Sequence, residues 1–293
     1  MRRYFILLVL FHFNLFSQEY NDILRAGVKN NIVNPGVLFS EGKNKIQLVD
    51  SRTFNSDHDG YNLSLMGFAF ILNKVDDSVK NDTNISNFNA LGLDILTYGN
   101  DIFKRKSIGI SFGTLKRVTY NENIIFSMKF SLINDSGNLI NFSDLDPLYI
   151  NWLNKDLRQN SYQLTPSIIL TGNRYTSSVS YNHFLSSNSN VNIFGNSIFL
   201  NFSYDIISNS DRLKFYFNYA ILKNHKNIYS IMFEPSINSQ NKLTIGSRNF
   251  SEVFVGYGIN YQRFNIDLIY NLTFGLKVLK DINLYNISLN YLL

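Results

Sequence analysis

Residues Glu252–Phe274 read EVFVGYGINYQRFNIDLIYNLTF. Val253, Val255, Tyr257, Ile259 and Tyr261 alternate with Phe254, Gly256, Gly258 and Asn260. Beyond Gln262–Arg263, Phe264, Ile266, Leu268, Tyr270, Leu272 and Phe274 alternate with Asn265, Asp267, Ile269, Asn271 and Thr273. A period of two gives each strand one apolar face and one mainly polar or small face. Each arm runs to about ten residues, against about five to six for strands of soluble domains. Ten is what a tilted strand needs to cross a bilayer. The stretch therefore predicts a transmembrane β-hairpin.

The same unit recurs along the chain. Candidate strands are Lys45–Phe54, Tyr61–Leu72, Ala90–Gly99, Ser107–Arg117, Asn123–Asn134, Tyr162–Gly172 and Tyr175–Leu185. Asn196–Ile207, Asp211–Leu222, Tyr229–Pro235, Lys242–Asn249, the opening pair and Asn283–Leu293 complete a set of about fourteen. Ile124, Phe126, Met128, Phe130 and Leu132 oppose Ser127, Lys129 and Ser131. Ile198, Leu200, Phe202, Tyr204 and Ile206 oppose Asn201, Ser203 and Asp205, while Leu213, Phe215, Phe217, Tyr219 and Ile221 oppose Lys214 and Asn218. In Tyr61–Leu72 the apolar residues change parity near Gly67; a bulge there is one explanation, and a wrong strand assignment is another. The expected fold is all-β: a transmembrane antiparallel up-and-down barrel over 45–293.

Bulk properties fit that reading. Hydrophobic residues make up 45% and mean hydropathy is −0.09, which excludes a helical membrane bundle but not a barrel whose inner face is polar. Aromatics reach 15%, mostly 25 Phe and 18 Tyr, as lipid-facing strands with interfacial girdles require. Cysteine is absent, which removes disulfides, thiolate metal sites and a cysteine nucleophile. The net charge of +5 is scattered over turns and loops without a basic run, so no nucleic-acid partner is expected.

Met1–Ser17, MRRYFILLVLFHFNLFS, places two arginines before a short apolar run and a small residue, the pattern of a secretory signal peptide. Residues 18–44 read as a periplasmic N-terminal leader containing Asn34-Pro35-Gly36. No later run approaches the eighteen or so apolar residues of a membrane helix. An exported chain of long strands points to the outer membrane of a Gram-negative cell. Connection lengths agree: Gly172–Arg174, Ser208–Ser210, Ser236–Asn241 and Gln262–Arg263 are short, whereas Asp135–Ser161, Ser186–Gly195 and Lys223–Ile228 are longer and fall on the other end. Asn73–Asn89 and Phe250–Ser251 break the alternation. The chain closes on Tyr285, Ile287, Leu289, Tyr291 and Leu293, an alternating strand that would be an aggregation hazard if left as a bare edge.

Chemical sites are sparse. His183, in YNHFLSS, shares the parity of Val179 and Tyr181 and suits an interfacial histidine or the base of an outer-membrane lipid enzyme. His58 in SDHDG fits no defined calcium loop. Asp144 and Asp146 are loop carboxylates without a partner motif. Gly256 and Gly258 relieve crowding on a strand face. Inward Lys129, Asp205, Lys214 and Asp267 either tune a pore or pair with one another. No catalytic, cofactor-binding or metal residues are assigned, and no cofactor is expected.

Several elements resemble the PorP/SprF family. A Bacteroidota-style signal ends at Ser17-Gln18, and Asn34-Pro35-Gly36 is similar to the Asn-Pro-Ala element before that family's first strand, with Gly36 where Ala is usual. Arg52 in DSRTF, the Ile124–Phe130 strand leading to Asp146-Pro147, the hairpin YQLTPSIILTGNRYTSSVSYNHFL around Arg174-Tyr175, and Phe233-Glu234-Pro235 through Tyr257 also match. The resemblance implies a non-enzymatic outer-membrane component of the type IX secretion system. Its partners would be outer-membrane lipid, other secretion components, and the C-terminal domain of a cargo or adhesin, in some organisms one used for gliding motility. The alternatives are a porin or solute channel and, after it, the lipid enzyme using His183.

Overall fold

The computed structural model describes residues 34–54, 62–75, 87–99, 103–119, 121–137, 159–186, 196–208, 211–222, 227–249, 252–273 and 283–293. His58, Asp144 and Asp146 lie outside them. The strands are β1 Lys45–Phe54, β2 Asn62–Val75, β3 Asn87–Gly99, β4 Phe103–Thr119, β5 Glu122–Gly137, β6 Gln159–Thr171 and β7 Tyr175–Ser186. They continue as β8 Ser197–Ser208, β9 Asp211–Leu222, β10 Ile228–Pro235, β11 Asn241–Arg248, β12 Glu252–Tyr261, β13 Phe264–Thr273 and β14 Asn283–Leu292. All fourteen pair antiparallel with their chain neighbours, and β1 meets β14 from Lys45↔Leu292 to Phe54↔Asn283. The sheet is thus a closed barrel with no bare edge, which satisfies the strand backbone internally, as a bilayer demands.

The two faces separate as the alternation predicts. Phe126, Met128, Phe130 and Leu132 are exposed on the outer wall, while Ser127, Lys129 and Ser131 are buried inside. In the opening hairpin, Val255, Tyr257 and Ile259 face out and Phe254 is buried. Its strands pair from Glu252↔Thr273 to Tyr261↔Phe264 around a two-residue turn in which Gln262 takes a left-handed φ of 51°. An apolar outer wall on a closed barrel of this size is a membrane-spanning surface: the protein is an outer-membrane β-barrel.

Of the two explanations for the parity change near Gly67, neither holds: β2 is a strand, and there is no bulge at Gly67. Gly67 pairs regularly with Gln47 and Asp94, and the register irregularity lies between Ile71 and Asn73. The parity is confused because β2 is apolar on both faces: Met66, Phe70 and Leu72 point to lipid while Leu63, Leu65 and Ala69 are buried inside. A second irregularity, between Arg117 and Thr119, sits beside the β4–β5 turn.

The outer wall gives a depth test. Ile110 is 55% exposed between its register neighbours Leu93 and Phe130, within the apolar band. Ile110→Arg is expected to lower the unfolding free energy in lipid vesicles by about 2–4 kcal/mol, whereas Val118→Arg, beside the β4–β5 turn, should cost about 0–1. Equal losses at the two positions would contradict a bilayer-facing wall.

Candidate functional site

The site is the lumen, and its first component is the segment before β1. Asn34 caps a 3-10 turn over Pro35–Leu38: its Oδ1 accepts from the Gly36 N–H at 3.0 Å, and Pro35 supplies a fixed φ at the first position. Gly42, at φ +60°, ends the turn against the ring of Phe88 and lets the chain enter β1. This arm, read from sequence as the end of a leader, lies inside the barrel at the short-turn end. Leu38 is 1% and Phe39 0% exposed.

The wall is shaped to receive it. A side chain at Gly113 would collide with the Phe39 ring, and a Cβ at Gly92 would lie 2.7 Å from Leu38 and 3.2 Å from Phe39. Gly36 in turn sits against Ile169 and Ser127, where a Cβ would approach to 2.8 and 2.9 Å. Ala69, Phe88, Ala90, Leu115, Ile125 and Ile169 close around Leu38 and Phe39 as one apolar cluster. These are inward positions of β2–β6, which a wet lumen would have made polar. Burying the two arm side chains contributes roughly 1.5–3 kcal/mol each. The arm is a cork.

Across the lumen, charge replaces apolar packing. Lys242 Nζ lies 2.6 Å from Asp267 Oδ1, in charge contact without an aligned hydrogen bond, and 3.9 Å from Glu234. Tyr216 donates its hydroxyl hydrogen to Glu234 at 2.8 Å. Lys242 and Asp267 are on β11 and β13, separated by β12, and the residue between them in register is Gly258. A side chain there would strike both, so the glycine lets the pair meet over the intervening strand. The device recurs on the cork side. Asp94 on β3 pairs in register with Gly109 on β4, crosses it, and reaches Lys129 on β5 at 3.6 Å. A Cβ at Gly109 would lie 2.7 Å from Asp94 Oδ1.

Of the inward charges identified from sequence, Lys129 and Asp267 are held this way. Asp205 takes Arg212 at 2.6 Å and Lys214 at 3.9 Å. Sequence reasoning did not assign Asp94, Arg105, Asp135, Arg248 or Glu252, which are equally buried. Arg105 grips Asp135 through Nε and Nη2 at 2.6 and 2.5 Å, and Arg248 meets Glu252 at 3.2 Å. Such pairs in low dielectric hold only with good geometry. Gly256 also faces in, 2.8 Å from the Leu268 carbonyl at the position its Cβ would take.

His183 is half-buried on the outer face of β7, its ring stacked on Tyr181 at 5.9 Å and its Nδ1 3.5 Å from the Tyr181 hydroxyl. The structure gives it a neighbour suited to an interfacial aromatic pair. Among the described residues, no group of three or more His, Asp or Glu is placed to hold a metal ion.

No protein-family model and no curated protein matches the chain. Among solved structures it is similar to CymD, a monoaromatic hydrocarbon channel, at 11% identity and a TM-score of 0.56, over 91% of this chain and 93% of that one. It is also similar to the outer membrane protein Omp33 of Acinetobacter baumannii, at 9% identity and a TM-score of 0.49, covering 86% and 98%. The toluene transporter TodX of Pseudomonas putida aligns at 11% identity and a TM-score of 0.47, covering 88% and 90%. At these identities the likeness to CymD speaks to the fold, a closed outer-membrane barrel.

Proposed function

We propose that this protein is a non-enzymatic outer-membrane barrel that docks cargo for type IX secretion, in the manner of the PorP/SprF family. The observation that carries the reading is occlusion. The arm fills the β2–β6 side of the lumen, and each inward charge singled out from the sequence is met by an opposite charge: Lys129 by Asp94, Asp205 by Lys214, and Asp267 by Lys242. A barrel so built is a rigid platform whose rims and loops do the work. Its secretion role is supported by the residue resemblance, including Asn34-Pro35-Gly36, the element that forms the capped turn of the cork. The test is affinity purification of the tagged chain from detergent-solubilised outer membranes. Secretion components and a cargo bearing a type IX C-terminal domain should co-purify, and their absence from a folded, membrane-extracted sample would sink the reading.

A second reading is a solute channel that conducts when the arm leaves. It is favoured by the polar inward rows that continue past the cork: Ser107, Ser131, Ser161 and Thr165 face in toward the long-connection end. Conductance that appears on removal of the arm, without co-purifying cargo, would select it.

A further inference from the structure

The outer wall carries one sector that does not look like the rest. Three rows of register partners cross β1–β4. Leu48, Met66, Ile95 and Ile108 form an apolar row; Asp50, Ser64, Thr97 and Lys106 lie above it; Arg52, Asn62, Gly99 and Lys104 lie above that, toward the long-connection end. The side-chain-bearing residues of the upper two rows point outward. Elsewhere near this end the described outward positions carry no Lys or Arg: they are apolar or aromatic, such as Ile198, Ile221, Val253 and Tyr270, or uncharged and polar, such as Asn134 and Asn160. An outward cation is expensive at the bilayer midplane and nearly free at the interface, so Arg52, Lys104 and Lys106 mark the headgroup level of one leaflet.

Directly below them the wall is indented. A cleft of about 320 Å³ is floored by Leu48, Met66, Ile95, Ile287 and Leu289 and topped by Asp50, Ser64 and Thr97. Asp50 is already committed: its Oδ2 takes the Arg52 Nε at 3.1 Å and its Oδ1 accepts from the Ser64 hydroxyl at 2.9 Å. That contact uses Arg52 through Nε and links it to the carboxylate that tops the cleft. Gly99, between Asn62 and Lys104 in the upper row, contributes no side chain, leaving a shallow polar trough bracketed by Arg52 and the two lysines.

An apolar cleft in the membrane band that opens into a cation-bracketed trough at headgroup height matches one kind of molecule. We infer that the β1–β4 wall is a binding site for a phosphorylated lipid of the leaflet at the long-connection end, of the lipid A class. An acyl chain lies in the Leu48–Met66–Ile95 cleft, and a phosphate sits between Arg52, Lys106 and Lys104. The occupant is a lipid and not a free anion because the apolar floor and the cations form one continuous surface.

The experiment is native mass spectrometry of the folded full chain in detergent with diphosphoryl lipid A as the probe. A one-to-one adduct should form, phosphatidylethanolamine should not compete, and the monophosphoryl form should bind more weakly. Lys104→Gln/Lys106→Gln leaves the Asp50–Arg52 pair intact and should weaken the adduct by about thirtyfold, the equivalent of about 1 kcal/mol of attraction lost per lysine. Met66→Trp fills the cleft without changing charge and should also weaken it; it carries the test alone if the double variant fails the heat-modifiable mobility check for folding. Unchanged binding by a folded variant of either kind would overturn the site. So would displacement of the lipid by inorganic phosphate, which would reduce the trough to a bare anion site.

Discussion

Lys129→Ala is expected to lower the unfolding free energy of the barrel by about 3–5 kcal/mol, the range for stranding one member of a buried ion pair. Lys129 and Asp94 are 4% and 3% exposed at the side chain, and the lysine is the cation on the Asp94 carboxylate. Among the described residues Asp94 Oδ1 has no hydrogen-bond partner of its own, so the charge left behind would have little to lean on. Reversible urea unfolding in lipid vesicles measures the loss. Removing both charges, as Asp94→Ala/Lys129→Ala, should recover a substantial part of it, because the penalty lies in the unpaired charge and not in the missing contact. If the two single losses simply add in the double variant, the pair is not coupled and the bridge over Gly109 is not an energetic element of the lumen.

Phe39→Ala is expected to release the cork while leaving the barrel closed. Phe39 is fully buried among Gly92, Gly113 and the apolar cluster, and truncating such a ring costs about 3–5 kcal/mol. Because Leu38 and Phe39 are the arm's fully buried members of the apolar cluster, the loss falls on the arm's own docking equilibrium. Amide exchange over Val37–Gly42 should accelerate by about a hundredfold or more, while strands β8–β13 keep their protection. Gly113→Leu attacks the same contact from the wall side and should produce the same local opening. Unchanged exchange over the arm in both variants would mean that it is held by something other than this notch.

Much of the fold was written in the alternation. Strand β1 has the bounds its pattern predicts, and the outer rows Phe126–Leu132 and Ile198–Ile206 face lipid as their parity requires. The lumen was harder to read because its chemistry depends on register. Asp94 and Lys129 are distant in sequence and on non-adjacent strands; only pairing through Gly109 brings them together. The same holds for Lys242, Gly258 and Asp267. The cork was invisible for another reason: Asn34-Pro35-Gly36 announces a capped turn, but nothing local says that Leu38 and Phe39 are buried by strands far along the chain. The signal that could have found it was in β2–β6, where inward Ala69, Phe88, Leu115, Ile125 and Ile169 are apolar in what should have been a wet interior. The disturbed parity of β2 is that signal, which a bulge or a misplaced strand would also produce.

An occluded barrel and an open pore differ most plainly in current. Full-length protein, folded and heat-modifiable, is reconstituted into planar bilayers, with Phe39→Ala alongside. The unmodified chain should be electrically silent. Steady single-channel steps from it would contradict the corked lumen, and with it the platform.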